Sequence, residues 1–274
     1  MKYLFIFLSV LFLFSCEEEE DFSTPFYFAE NGVTVKAKDW VTAGTTGELN
    51  GIFYTAVNID TLRLMFSREE DVSKVVTTLI TDMSNLFSNV PIKDVGPYRP
   101  AELQFDPNIS SWDVSNVTNM QRMFGTDSSV FYVRNLFNQD ISSWDVSNVV
   151  DMSYMFNNCH FNQPINSWNV SNVRDMSYMF SNSNFESEIE EWDVSNVTSM
   201  RTMFYTSFFN GDISGWDVSN VTNMQGMFGF TRAFNRDISN WCVSKITSRP
   251  QGFHSSFTFE IPEAYLPVWG TCPG

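Results

Sequence analysis

Histidine is almost missing from this chain of 274 residues: His160 and His254 are the only two, and they stand in unlike contexts. Most chemistry built on imidazole goes with them. The sequence contains no Ser-His-Asp or Cys-His order, no zinc-ligand spacing and no glycine-rich phosphate loop. Positive charge is also scarce. Lys and Arg number 16 against 32 Asp and Glu, a formal net charge of −16, which disfavours nucleic-acid partners and anionic membrane surfaces. A carboxylate pair of the glycosidase kind needs only two acids, and acids abound. They recur once per repeat, however, as a structural role requires, whereas an active site needs one unique constellation. The expectation is a chain with no enzymatic activity and no cofactor. Long apolar runs are lacking as well. The one that exists, Tyr3 to Phe14 behind Lys2, is too short to span a bilayer and fits the apolar segment of a secretory signal over residues 1–15.

What the chain has in quantity is repetition. The stretch FNQDISSWDVSNVVDMSYMF begins at Phe137, and FNQPINSWNVSNVRDMSYMF follows from Phe161. Tryptophans at 112, 144, 168, 192, 216 and 241 all sit in one frame, Ile-x-x-Trp-x-Val, on a period of about 24 residues. That frame has the spacing of a leucine-rich repeat. Trp-x-Val alternation predicts a short strand with both side chains on one face. Val149, Met152, Met155 and Phe156 follow at offsets that predict one or two helical turns, with Ser147, Asn148 and Asp151 as caps. No unit can bury its apolar face alone, so stacking is required, and Trp, Met and Phe are expected as core columns. The fold class expected is an α/β solenoid, a leucine-rich-repeat-like stack of short parallel strands and short helices.

The signature FNQDISSWDVSNVTNMxxMF resembles that of the BspA-like leucine-rich-repeat surface lipoproteins. The resemblance covers about residues 105–244, with a degenerate earlier copy at Asp82 to Phe87. It implies a bacterial cell-surface adhesin or binding protein, with no catalytic residues in the repeat. Leu13-Phe14-Ser15-Cys16 resembles a lipobox, which implies lipid attachment at Cys16. The acidic run Glu17 to Asp21 reads as a solvated tether, and it resembles the export signal of surface-exposed lipoproteins. The expected localisation is the cell surface, anchored by lipid to the outer membrane, with no other membrane contact. The expected partner is a protein or glycan on a host, matrix or neighbouring cell. The alternative is a structural spacer or coat protein with no dedicated ligand.

The ends are expected to act as caps: residues 16–30 a tether, 31–72 an N-terminal cap, 73–244 the repeats and 245–274 a C-terminal cap. Asn50-Gly51 signals a hairpin, and a helix from Asp60 carries Leu62, Leu64, Met65 and Phe66 to cover the open end. No repeat frame is visible after Thr247. Cys242 stands where four other repeats have Asp, and a bridge to Cys272 is expected in an exported protein. Cys159 is left over as a small core residue.

Two features are candidate sites. Asp113, Asp145, Asp193 and Asp217, with Asn169 in register, form a column whose repulsion is relieved by bonds to the following Ser backbone or, as a weaker alternative at Asp193 and Asp217, by calcium. Insertions before Phe105 and before Phe137 lie at the same point of adjacent repeats and must emerge side by side. They bring Tyr98, Arg99, Phe131, Tyr132 and Arg134, types enriched at binding hot spots.

Overall fold

The computed structural model describes residues 23–89, 101–103, 105–126, 133–255 and 261–274. Near the N-terminus, β1 (Phe26–Phe28) pairs antiparallel with β2 (Val35–Ala37), and β3 (Thr46–Leu49) with β4 (Ile52–Ala56). Asn50 and Gly51 close the second hairpin with φ of 51° and 80°, the left-handed pair that an Asn-Gly turn supplies at least cost. Helix α1 (Ile59–Ser67) follows, capped by Asn58 accepting from the Thr61 N–H at 2.9 Å. Its Leu62 and Phe66 are buried, and Phe66 meets Phe87 edge-on at 4.8 Å, so the helix covers the first repeat. Leu64, expected to join them, points to solvent at 48% exposure. Strand β5 (Val75–Val76) then pairs parallel with β4 and leads into the repeats.

The repeats are not the expected alternation of strand and helix. Among the described residues α1 is the only α-helix, the sheets are small, and the repeats are built of turns. The apolar stripe from Val149 to Phe156 is the part that carries the parallel pairing. Single parallel bridges link Asp82, Asn119, Asp151, Asp175, Ser199 and Asn223 in succession. Tyr154, Phe156 and Asn158 donate backbone N–H groups to Ser177, Met179 and Ser181 of the next copy at 2.8–3.0 Å. These carbonyls and amides are thus committed between copies rather than within a helix.

The offsets of three that suggested a helix arise from tight turns, such as the Met155 N–H to the Met152 carbonyl at 3.2 Å. Two left-handed residues per copy then prevent a helix from propagating. Tyr154, Tyr178, Thr202 and Gly226 occupy the first position with φ from 57° to 66°, and Asn158, Asn182, Thr206 and Phe230 the second with φ from 52° to 55°. Likewise Trp-x-Val alternates buried and exposed in the copies from Trp144 to Trp216, but without strand pairing. The link between copies there runs through side chains.

Trp144, Trp168, Trp192 and Trp216 each donate Nε1–H to the Ile carbonyl of the copy before, at Ile109, Ile141, Ile165 and Ile189, over 2.9–3.3 Å. Behind them Phe124, Phe156, Phe180, Phe204 and Phe228 stack in a column with centroids 5.4–5.8 Å apart and planes within 7°. Phe137, Phe161, Phe185, Phe209 and Phe234 form a second column at 6.1–6.4 Å. One continuous buried cluster runs from Val57 to Leu266.

The ladder also runs past the point where the sequence frame fades. Strand β8 (Phe228–Gly229) pairs parallel with β9 (His254–Ser255), and Gly226 and Gly252 share the left-handed conformation at φ 66° and 64°. Gln251-Gly252-Phe253 is thus one further rung, in register with Gln225-Gly226-Met227. The expected bridge between Cys242 and Cys272 is present and ties the final segment to the last Trp-containing turn.

Candidate functional site

Most recurring polar side chains in the repeats are occupied in holding the stack. Asp145 accepts from the Ser147 N–H at 3.1 Å and hydroxyl at 2.6 Å, and the same Ser bond recurs at Asp113, Asn169, Asp193 and Asp217. This is the backbone relief expected for the column. The Ser219 hydroxyl and then its N–H hold the Asp217 carboxyl below its ordinary value, the opposite of what unrelieved repulsion would do. Among the described residues no group of three His, Cys, Asp or Glu is placed to hold a metal ion.

Each Asn that follows such a Ser donates to the backbone carbonyl at the Ser place one copy back, as Asn172 does to Ser147 and Asn196 to Ser171, at 2.7 and 2.8 Å, and Asn116 to Thr78 at 2.9 Å. In the last turn Lys245 stands at that place and reaches the Asn220 Oδ1 at 2.6 Å. Cys159 is buried, donates weakly to the Phe137 carbonyl at 3.6 Å, and burial pushes its thiol up to about 12, so it behaves as a core residue.

The two insertions do meet. Strand β6 (Ala101–Leu103) pairs parallel with β7 (Val133–Asn135), with Glu102 opposite Arg134 in register. Arg134 is half-buried, and its Nη1 lies 3.4 Å from His160 Nε2. Tyr98, Arg99, Phe131 and Tyr132 lie outside the described residues, as does Cys16.

Other exposed features were not legible in the repeat frame. Arg122, Tyr154, Tyr178 and Arg201 form a row: the guanidinium of Arg122 is 4.9 Å from the Tyr154 ring, the tyrosines stack at 4.4 Å, and Arg201 is 5.6 Å from Tyr178. Their equivalent places in the two near-copies were the available signal. On another edge a groove of about 660 Å³ is lined by Glu186, Glu188, Glu190, Phe208, Asp212 and Arg236. Phe208 there is 36% exposed, with the Arg232 guanidinium 4.9 Å from its ring.

The β1–β2 hairpin lies across the Asp-bearing side of the first repeats, a placement that no local pattern announced. The Val35 N–H bonds the Ser111 carbonyl at 2.8 Å, and Asn31 Nδ2 the Ser143 carbonyl at 3.2 Å. Lys36 Nζ sits 3.0 Å from Ser115 Oγ and 3.7 Å from Asp113 Oδ1. Asp113 is thereby 1% exposed, whereas Asp145, Asn169, Asp193 and Asp217 are open to solvent.

These features define a stacked repeat protein with acidic and aromatic rows on its surface. The chain belongs to the family described as "Mycoplasma protein of unknown function, DUF285", whose profile matches three overlapping segments, residues 53–184, 126–207 and 181–266. Near-identical copies allow that profile to align in several registers, which accounts for the overlap. No curated protein and no solved structure gives a significant match.

Proposed function

We propose that this chain is a non-catalytic bacterial binding protein, anchored at the cell surface and outer membrane by lipid on Cys16. It recognises a protein or glycan on a host, matrix or neighbouring cell, and the edge bearing the paired insertions makes the primary contact. The observation that supports this reading best is the β6–β7 pairing. Only there does the stack depart from its period by more than one residue, and it does so in two adjacent copies that pair with each other. Departures of that kind mark binding edges in repeat arrays. Resemblance to the BspA-like surface lipoproteins points the same way, and the commitment of recurring polar groups to the stack argues against chemistry.

The test is retention of the full mature chain on arrays of matrix proteins and glycans and on intact cells, beside a variant lacking residues 127–132. Residues 125 and 126 must stay: a Cβ at Gly125 would collide with the Tyr154 carbonyl, and Thr126 donates to the Asn157 carbonyl at 3.1 Å. The expected outcome is a discrete ligand set, bound about tenfold more weakly by the shortened variant at unchanged stability. Retention by nothing at all would instead support the spacer or coat role. Anchoring is checked separately, since Cys16→Ala should move the protein out of the detergent phase.

A further inference from the structure

The β1–β2 hairpin supplies an internal example of how this surface receives an extended segment. Residues 31–37 touch three successive copies, at Thr78, at Ser111 to Ser115 and at Ser143, and use three kinds of contact: donation to a carbonyl just before the Trp, donation to a Ser or Thr hydroxyl, and a lysine against the column Asp. Each of these acceptors recurs beyond the hairpin. The carbonyls of Ser167, Glu191 and Gly215 continue those of Ser111 and Ser143, and accept no hydrogen bond among the described residues. Ser171, Ser195 and Ser219 continue Ser115, while Asp193 and Asp217 continue Asp113 and Asp145 as exposed carboxylates. At the junction a cavity of about 290 Å³ is lined by Glu30, Asn31, Lys36, Asp113 and Asp145 among others. Asp113 Oδ2 is buried beside it without any hydrogen-bond partner. A buried carboxylate oxygen left in that state is costly, and a cationic donor would relieve it.

We propose that the Asp-bearing side, from Asp145 to Asp217, is a docking track for an extended, lysine- or arginine-bearing segment of a partner protein. That segment is seated as residues 31–37 are seated on the first copies, but further along the stack, with its cationic side chains against the exposed carboxylates Asp193 and Asp217 as Lys36 lies against Asp113. The chain's own N-terminal stretch is unsuited to this track, because Glu17 to Asp21 would be repelled by it. A nucleic acid is unsuited for the same reason. This inference rests on reading the chain as a binding protein, and it names a second face, distinct from the insertion edge.

The probe is a fluorescent peptide of sequence NGVTVKAK, copying residues 31–38, added to the full mature chain and followed by anisotropy at low and moderate salt. Saturable, salt-sensitive binding is expected, and it is expected to vanish when both lysines of the peptide are replaced by Glu. The double variant Asp193→Asn/Asp217→Asn should weaken binding about tenfold, the loss of two exposed charge contacts. Its unfolding midpoint should hold, because Asn169 already keeps the same bonds to Ser171, at 3.1 and 2.7 Å. Absence of saturable binding, or equal affinity in the double variant, overturns the track. Sensitivity to Asp113→Asn without sensitivity to the double variant also overturns it, since the peptide would then be displacing the hairpin. Because no natural partner is needed, these failures leave retention on cells or matrix untouched, and loss of that retention leaves the peptide result untouched.

Discussion

The N-terminal hairpins and the regular repeats solve the same problem, pairing a backbone made of short segments, in opposite ways. In β1–β2 the partners lie within eleven residues of each other, the strands are antiparallel, and the side chains feed a small cluster of Phe26, Val35, Ala37, Val41, Tyr54, Ala56 and Val76. In the repeats the partner is the next copy, the pairing is parallel, and each core side chain belongs to a column that no single copy can form. Adjacent residues of β5 divide between the two, Val75 entering the repeat core and Val76 the hairpin core. Local alternation and turn chemistry suffice for the first region. The second depends on copy number, so its stability is a sum over neighbours, and a defect in one copy is felt on both sides.

Trp168→Ala should show this most strongly. Loss of a buried indole is expected to lower unfolding free energy by about 3–5 kcal/mol in urea titrations. It also removes the donor to the Ile141 carbonyl. Hydrogen exchange should quicken at the amides of 137–204 while those of β1–β2 stay protected, and uniform loosening of both regions would erase the distinction drawn here.

Next in size is the bridge at the far end. Replacing Cys242 and Cys272 together with Ser opens a loop spanning 30 positions, for which the chain-entropy relation gives about 3.5–4 kcal/mol as an upper figure. Thermal melts should show that loss, with the last rung, β8–β9, fraying first. Single polar links come third. Asn172→Ala breaks one inter-copy bond and Asn58→Ala removes the cap of α1, and each should cost about 1 kcal/mol in denaturant melts. Similar magnitudes in the two regions would indicate that they differ in connectivity rather than in the strength of individual bonds.

The smallest effect is on pH. Hydrogen bonds from Ser142, Ser214 and Ser219 hold Asp140, Asp212 and Asp217 below the ordinary value of 3.8. A carboxyl lowered by folding contributes stability above its unfolded pKa, and that contribution disappears as pH falls through the folded value. Melting temperature should therefore be flat from neutral pH to about pH 4 and decline below it. Asp217→Asn should remove part of that decline while keeping the turn, as Asn169 does.

Which apolar side chains of the repeats are buried was legible in the chain alone, because burial there follows from apolarity repeated at fixed places: the Trp, Val, Met and Phe of each frame lie in the core, whereas Leu64 outside it does not. The sequence also determined the Asn50-Gly51 turn, the helix after Asn58, the Asp-to-Ser bonds and the partners of the disulfide, each set by residues close in sequence or by a clear exception to the repeat. Secondary structure within the repeat was not so determined. Spacings of three are shared by helices and by successive tight turns, and the choice fell to left-handed residues such as Tyr154 and Tyr178, whose conformation is held by bonds to neighbouring copies rather than by their own preference. Only the tertiary structure could lay the first hairpin over Asp113 and leave Asp193 and Asp217 open, since chemically identical Asp-x-Ser units become distinguishable only once something far away in the chain is packed on one and not on the others.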